Sequence, residues 1–156
     1  MTKKRTQQKL VKEILNRQAR FNYELLENFT AGVVLSGGEV KALRAGKAHL
    51  NSAYVTLTPT GALLKNAYIG PYQEANTPKD YEPNHDRALL LGKKELATLR
   101  RELNTAGLTI VPLKWYNGRR VKLEIALARG KKKADKRQSL KTRDTKRDIE
   151  RTLKAS

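Results

Sequence analysis

The chain has 156 residues, which suits a single domain with a buried core. Its 33 basic residues against 15 acidic ones give a net charge of +18, so the expected partner is a polyanion, above all a nucleic acid. The sequence contains no cysteine, which excludes disulfides, thiolate nucleophiles and cysteine-containing metal sites, and it has no apolar run of about twenty residues, so we expect a cytoplasmic protein with no membrane partner.

The positive charge is concentrated at the two ends of the chain. Residues 1–20 carry seven basic groups and one acid, and residues 129–156 carry twelve basic groups and four acids. This distribution predicts a basic N-terminal arm (1–15), a body (16–130) and a basic C-terminal tail (131–156). The tail holds too few apolar residues to dock on the body, so we expect it to be disordered when free and helical when bound.

The body begins with a strand and a short helix. A long, bent strand is predicted over Tyr23–Ser36, where Gly32 marks a bulge or a close approach of two backbones. The segment GGEVKALRAG follows, with glycine at both ends and apolar residues three apart, which predicts a helix of about two turns. Glu39 lies in its first turn, where the helix dipole favours a carboxylate. The exposed side is expected to be basic and to present Lys41, Arg44 and Lys47.

A hairpin, a loop and a second helix come next. Tyr54–Thr58 and Ala62–Ile69 are predicted to pair across a turn-forming Pro-Thr-Gly cluster. Residues 70–87 are rich in turn formers and predict a loop. Leucines three and four residues apart predict an amphipathic helix over Lys93–Ala106, with Gly107 as the residue that ends it.

The last predicted element is a hairpin around Asn117-Gly118, a dipeptide that favours a two-residue type I′ turn. With that turn, Trp115 lies opposite Arg120 and Leu113 lies opposite Lys122. Trp115, Arg120 and Lys122 are then expected together on the outer side of the hairpin. The core side consists of Leu108, Ile110, Val121, Leu123, Ile125 and Leu127.

About six strands joined by hairpins, with helices inserted between them, predict a mainly β fold. The architecture that fits best is a small antiparallel barrel of the oligonucleotide-binding (OB) type. Strand periodicity alone leaves a β-sandwich open as the alternative.

The sequence offers little support for catalysis. His49 and His85 are the only histidines, and neither lies near a second ligand or a serine nucleophile, so both are interpreted as surface residues. Apart from Glu39 in the first turn of its helix, the scattered acidic residues are interpreted as solvated charges: Glu24, Glu27, Asp80, Glu82 and Asp86. We therefore predict no enzyme activity, no metal and no cofactor. Two basic extensions, a basic helix and an aromatic residue beside cations are instead typical of RNA binding.

Three stretches taken together resemble the SsrA-binding protein family, also called small protein B. They are NRQARFNYELLENFTAGVVLSGGEVKALRAGKAHL, NHDRALLLGKKEL and GLTIVPLKWYNGRRVKLEIALARGKKKADKR. The resemblance implies an OB-type barrel with a C-terminal tail, which binds the transfer-RNA-like part of transfer-messenger RNA. It also implies delivery of this RNA, alanylated and carried by elongation factor Tu, to stalled ribosomes for trans-translation, which rescues the ribosome and tags the peptide.

The same resemblance assigns RNA contacts to residues of the body. For Tyr23 and Leu90, packing in the barrel or the core is the alternative. Where many relatives place an acidic residue before the Ala-Gly pair, this chain has Thr30. The implied contacts are Asn16, Arg17 and Tyr23 at the strand entry, Lys41, Arg44 and Lys47 on the basic helix, Leu90 beside a helix entry, and Lys122 on the barrel.

The tail is implied to enter the messenger channel of the small ribosomal subunit. The tail residues at the channel entrance, near the decoding centre, would be Gly130, Lys131, Lys132, Asp135, Lys136 and Arg137. Arg143, Arg147 and Arg151 recur every fourth residue and would align as one cationic stripe in a helix. Two other classes remain as alternatives: a structural ribosomal protein with a similar barrel, and an RNA-modifying enzyme, for which the sequence offers no catalytic constellation.

Overall fold

The computed structural model describes residues 11–105 and 107–131, in which it forms nine strands and three α-helices. The strands are β1 (Glu13–Leu15), β2 (Tyr23–Val33), β3 (Ala48–His49), β4 (Tyr54–Thr58), β5 (Gly61–Lys65), β6 (Tyr68–Ile69), β7 (Arg87–Leu90), β8 (Leu108–Asn117) and β9 (Val121–Gly130). The helices are α1 (Arg17–Asn22), α2 (Gly37–Arg44) and α3 (Lys93–Leu103). The predicted arm up to residue 10 and the tail from Lys132 onward lie outside the described residues.

Six of the strands form a closed antiparallel ring in the order β8-β4-β5-β7-β2-β9, and the pairing of β9 with β8 completes it. β1 adds to β8, and β3 and β6 form a separate two-stranded sheet. Closure of the ring leaves its strands without open edges. The predicted barrel of the OB type is therefore confirmed, and the sandwich is excluded.

Apolar side chains fill the barrel, and two helices contribute to the same core. Leu43 of α2 and Leu99 of α3 are fully buried there with Ile125 of β9. A second, smaller cluster lies on the other face of β8 and β9, because alternate residues of a strand point to opposite faces. It consists of Val111, Leu113, Ala126 and Ala128, packed with Ala19 of α1. Strand β9 is therefore buried on both faces over much of its length.

The turn of the β8–β9 hairpin is longer than predicted. Asn117 pairs with Val121, so residues 118–120 form a three-residue connection in place of a two-residue turn. A Cβ atom added to Gly118 would lie 2.5 Å from the ring of Tyr116. Glycine at this position therefore lets the tyrosine ring approach the turn closely.

A bulge in β8 changes which side chains of the hairpin face the core. The pairing shifts by one residue between Pro112 and Lys114, and an extra residue reverses the alternation beyond it. Trp115 consequently pairs with Leu123 and is fully buried, so its predicted position outside was wrong. Leu123, Ile125 and Leu127 are buried as predicted, whereas Val121 is only partly buried against the same core. Lys122 is exposed as predicted.

Strand β2 is long, as predicted, but its bulge lies elsewhere. The pairing with β9 is irregular between Leu25 and Glu27, not at Gly32. Gly32 instead marks a close approach, because a Cβ atom there would lie 3.3 Å from the Cβ atom of Leu90 on neighbouring β7. Of the two roles predicted for this glycine, close approach is the one that the structure confirms.

The β4–β5 hairpin is confirmed, but its second strand is shorter than predicted. It ends at Lys65, because Asn66 adopts a left-handed backbone conformation with a φ of 59°. The loop predicted over residues 70–87 contains one short 3-10 turn at Glu74–Asn76. Arg87 already belongs to β7.

Helix α3 is confirmed with an earlier end. Its leucines pack against the core, but the helix ends at Leu103 with Asn104 as the C-cap. Gly107 is therefore not the residue that ends the helix. Its φ of 83° belongs to the connection into β8, where a left-handed conformation favours glycine.

Candidate nucleic-acid interface

Helix α2 is fixed at its N-terminus by a capping box. The backbone N–H of Glu39 donates to Ser36 Oγ at 3.2 Å, and the backbone N–H of Ser36 donates to Glu39 Oε1 at 3.1 Å. These two bonds satisfy donors that a helix end leaves open. The predicted basic helix is confirmed, with Lys41 exposed and Arg44 half-buried.

The other carboxylate oxygen of Glu39 belongs to a buried ion pair. Arg87, 1% exposed, donates from Nε to Glu39 Oε2 at 2.6 Å, and Glu39 is 5% exposed. Glu39 lies in the first turn of α2 as predicted, but its burial and its pairing with Arg87 were not predicted. The guanidinium group also donates to the carbonyl oxygens of Ala67 at 2.6 Å and Pro83 at 2.9 Å. Arg87 therefore ties α2 to β7 and to the segments on either side of the loop.

His85 lies at the edge of this ion pair. Its Nε2 atom is 3.1 Å from Glu39 Oε2, and its ring meets that of Tyr81 edge-on with the centroids 5.9 Å apart. The side chain is 40% exposed. His85 is thus a partly exposed histidine with hydrogen-bond partners, as interpreted, but it is attached to the residue that caps α2.

Acidification is expected to weaken the fold through Glu39. Burial raises the pKa of Glu39, but the hydrogen bond from Ser36 and the contacts with Arg87 and His85 outweigh this effect and hold the pKa below its usual 4.5. A carboxylate with a lowered folded pKa contributes stability that is complete above its unfolded pKa and is lost as pH falls through the folded value.

We therefore expect the free energy of unfolding to fall as pH decreases below about 4.5, and to fall less steeply in a Glu39→Gln variant. Urea unfolding at a series of pH values, followed by the fluorescence of Trp115, measures the difference between the two proteins. An identical pH dependence in both would show that Glu39 is not the group responsible.

A groove beside α2 brings together three of the predicted RNA contacts. Its volume is about 650 Å³. Arg44 donates from Nη2 to the carbonyl oxygen of Arg119 at 3.3 Å, which links α2 to the β8–β9 turn. Glu95 is the acidic residue of its lining. The basic residues of the groove are Arg44 of α2, Arg119 and Arg120 of the turn, and Lys122 of β9, and its apolar residues include Leu90 of β7.

Leu90 is an exposed residue of this groove. It is 60% exposed, whereas the preceding Leu89 is 5% exposed and packs in the core. The alternative that placed Leu90 in the core was therefore wrong. Thr30, which has a neutral side chain, lines the same groove.

Tyr116 provides the exposed aromatic ring that was predicted for Trp115. It is 49% exposed and lines a shallow recess of about 600 Å³ with Arg119, Arg120 and Lys122. The combination of an aromatic ring and cations predicted for the last hairpin is thus present with a different aromatic residue. Guanidinium and ammonium groups beside a ring can bind phosphates and a stacked base at once.

Three predicted contacts lie around α1 and do not line the groove beside α2. They are Asn16, Arg17 and Tyr23. Asn16 is 7% exposed; its Oδ1 accepts from the backbone N–H of Ala19 at 3.3 Å, and its Nδ2 donates to the carbonyl oxygen of Pro112 at 2.8 Å. Arg17 is exposed. Tyr23 is half-buried and lines a groove of about 410 Å³ that also includes Asn16 and the exposed Tyr54.

The first residues of the predicted tail contacts lie next to α1. Gly130 ends β9, pairs with Tyr23 and is exposed. Lys131 donates from its backbone to the carbonyl oxygen of Asn22 at 2.9 Å and from Nζ to that of Arg20 at 3.2 Å. The remaining predicted tail residues lie outside the described residues: Lys132, Asp135, Lys136, Arg137, Arg143, Arg147 and Arg151.

Lys41 lines a different cavity from Arg44, and both Lys41 and Lys47 lie near the ring of Tyr72. Their Nζ atoms lie 6.0 Å and 5.5 Å from the ring centroid of Tyr72, within the range of a cation–π contact. The basic residues of α2 and of the segment after it thus form two groups, with Arg44 in one and Lys41 and Lys47 in the other. The sequence predicted one basic face and gave no sign that a loop tyrosine joins it.

Three residues of this surface, Tyr72, Tyr116 and Arg119, were not predicted, and neither was the buried Arg87. Arg87 could have been noticed, since it starts an alternating apolar run in which every second residue is buried. Tyr116 and Arg119 adjoin the predicted turn, and a shift of register would have brought them outside. Tyr72 lies in a loop, where periodicity carries no information.

No cluster of three or more potential metal ligands occurs within residues 11–105 and 107–131. In the same part of the chain, no helix combines the length and the apolar character needed to cross a membrane.

Comparisons with known proteins agree on one family. The family model described as "SmpB protein" matches residues 13–155. An SsrA-binding protein of Thermosynechococcus vestitus is 48% identical over 141 residues, which cover 89% of this chain and 92% of that protein. An SsrA-binding protein of Chlorobaculum tepidum is 44% identical over 156 residues, 99% of each chain.

A solved structure is similar as well. It is described as "tmRNA-SmpB: a journey to the center of the bacterial ribosome". The matching chain is 40% identical with a TM-score of 0.66, and the match covers 79% of the present chain and 87% of that one.

Proposed function

The chain belongs to the SmpB protein family, and we therefore propose that it is the adaptor that binds transfer-messenger RNA and delivers it to stalled ribosomes for trans-translation. Its partners are the transfer-RNA-like part of that RNA, the decoding centre and messenger channel of the small ribosomal subunit, and, through the alanylated RNA, elongation factor Tu. The protein acts in the cytoplasm by binding, not as an enzyme, so the role requires neither a catalytic group nor a cofactor.

The groove between α2 and the β8–β9 turn carries this proposal. Four cations from three parts of the chain converge on it, and one carboxylate accompanies them. Phosphate contacts of this kind supply most of the affinity of a basic protein for a nucleic acid. Leu90 and Tyr116 add exposed apolar surface at the same place, which a ribose or an unpaired base can cover.

We assign the predicted contacts to two kinds of role. Arg44 and Lys122 bind phosphates in the groove, and Leu90 contacts a base or ribose there. Arg17 and Tyr23 contact RNA at the second side of the barrel. Asn16 acts through its two hydrogen bonds, which hold the start of α1 on β8 and so position Arg17. It is a positioning residue and not itself a contact.

Capture of the native protein from cells of its source, followed by sequencing of the bound RNA, tests the partner. We expect one dominant transfer-messenger RNA. Fractionation of ribosomes tests the alternative at the same time, because a structural ribosomal protein would accompany every ribosome in stoichiometric amount. An adaptor would instead be found with a small, stalled fraction. A stoichiometric profile without enriched transfer-messenger RNA would overturn the proposal.

Lys122→Ala is expected to weaken RNA binding and to change its salt dependence. Affinity for RNA should fall linearly with salt on logarithmic axes, because bound phosphates release counterions. Loss of one phosphate contact reduces the slope by about one unit and raises the dissociation constant at every salt concentration. Fluorescence anisotropy with labelled transfer-messenger RNA at several salt concentrations gives both quantities.

Arg101→Ala is the matched control for Lys122→Ala. It removes the same charge from an exposed position on α3, and Arg101 is not among the residues that line the groove. We expect a smaller change in affinity and an unchanged slope. Equal effects of both variants would mean that only overall charge matters and that the groove is not the binding site.

A further inference from the structure

A second cavity lies on the side of α2 that faces away from Arg44. Its volume is about 600 Å³, which is in the range of small-ligand sites. One wall is the first half of α2, where a Cβ atom added to Gly38 would meet nothing within 4 Å. The opposite wall is the loop around Tyr72, and Tyr81 and His85 close a third side.

We propose that this cavity binds one unstacked nucleotide, with its base on the ring of Tyr72 and its phosphate at Lys41. Where the nucleotide is part of the bound RNA, the inference rests on the function proposed above. The cavity lies on the opposite side of α2 from the groove, so one RNA would contact both sides of the helix. A free mononucleotide has the same chemistry and is the other possible source.

The charges around the cavity suit a phosphate. Glu39 is the acidic residue of its lining, and this carboxylate is already bound to Arg87. Lys41 Nζ lies 6.0 Å from the centroid of the Tyr72 ring. Lys47 Nζ lies 5.5 Å from the same centroid and donates to the Tyr72 carbonyl oxygen at 3.1 Å. Two ammonium groups thus lie near the ring, and Lys41 lines the cavity itself.

The polar groups of the loop suit the edge of a base. Asn76 donates from Nδ2 to Gln73 Oε1 at 2.8 Å. Asn76 Oδ1 and Gln73 Nε2 take no part in that bond, so two residues that line the cavity retain an acceptor and a donor. Amide groups beside an aromatic ring are the combination by which proteins bind splayed-out bases of single-stranded RNA.

Tyr72→Ala and Tyr72→Phe test the site in the full-length protein. Alanine removes the ring and with it one base–aromatic stack. We therefore expect about ten-fold weaker binding of transfer-messenger RNA. Phenylalanine keeps the ring and should bind like the original protein. In a second arm, AMP, CMP, GMP and UMP are titrated separately while the ring resonances of Tyr72 are followed by NMR in the unmodified protein, which needs no variant to fold.

The outcomes separate this site from the proposed function. Weaker RNA binding by Tyr72→Ala, but not by Tyr72→Phe, supports an RNA nucleotide in the cavity. Shifts of the Tyr72 resonances with a mononucleotide support a free nucleotide there. If RNA affinity stays unchanged in Tyr72→Ala and no mononucleotide shifts the ring, the cavity is not a nucleotide site. The proposed function fails if the native protein captures no transfer-messenger RNA, whatever the result at Tyr72.

Discussion

Replacement of Arg87 by alanine is expected to lower the free energy of unfolding by about 3–5 kcal/mol, a large part of the stability of a single domain. Arg87 is 1% exposed, forms the ion pair with Glu39 and donates to the carbonyl oxygens of Ala67 and Pro83. Without the guanidinium group, a buried carboxylate loses its cation and the carbonyls lose their donor. Urea unfolding monitored by Trp115, the only tryptophan, measures the loss.

Two further variants show whether the buried ion pair is the cause. Arg100→Ala removes an exposed arginine that donates to the carbonyl oxygen of Thr58 at 2.8 Å, and should cost about 1 kcal/mol or less. The double variant Glu39→Gln/Arg87→Ala should be less destabilised than the sum of its single variants, because the unpaired carboxylate is gone. Similar losses for Arg87→Ala and Arg100→Ala would refute the assignment.

A chain that ends at Ala134 is expected to keep most of its affinity for transfer-messenger RNA and to lose peptide tagging on stalled ribosomes by at least about ten-fold. The described barrel, with its groove, lies entirely before this point. The truncation removes Arg143, Arg147 and Arg151, whose spacing predicts one cationic stripe in a helix. Several phosphate contacts would be lost together. Binding and tagging are measured on the same preparation.

Substitution within the full-length tail separates charge from length. Arg143→Gln, Arg147→Gln and Arg151→Gln combined should impair tagging almost as much as the truncation. A matched comparison sets Arg143→Gln and Arg147→Gln combined against Lys141→Gln and Lys146→Gln combined, which removes the same charge outside the arginine row. Tagging at the full rate by the truncated chain would show that the tail is dispensable. A parallel loss of RNA binding would mean that the primary RNA site includes the tail.

Strand alternation made much of the barrel predictable from the sequence. Ile125 and Leu127 were placed in the core because they alternate with neighbours that point to the other face, and α3 followed from leucines at helical spacing. The failures have a physical cause as well. One extra residue in β8 reverses the alternation and moves Trp115 inside. Pro112 is a local sign of such a bulge, because proline cannot donate to the strand ladder, but it does not fix the register beyond it.

The candidate site was predictable in its cations but not in its geometry. Charge and family resemblance pointed to Arg44 and Lys122, because long basic side chains remain exposed in most contexts. The pairing of Glu39 with Arg87 depends on residues 48 positions apart and could not be derived from either local segment. Tyr72 was missed for the same reason, since only the fold brings its loop against α2.

The position of β9 in the ring has a consequence for synthesis of the protein. Tyr23 pairs with Gly130, so the barrel closes only when nearly all of its residues are available. Until then β2 and β8 each lack the neighbour that covers one edge, and open edges invite pairing with other chains. A nascent chain that stops before Val121 lacks β9 and therefore cannot complete the barrel. Folding should therefore be late and slow, because pairings of distant segments are formed at a high cost in chain entropy.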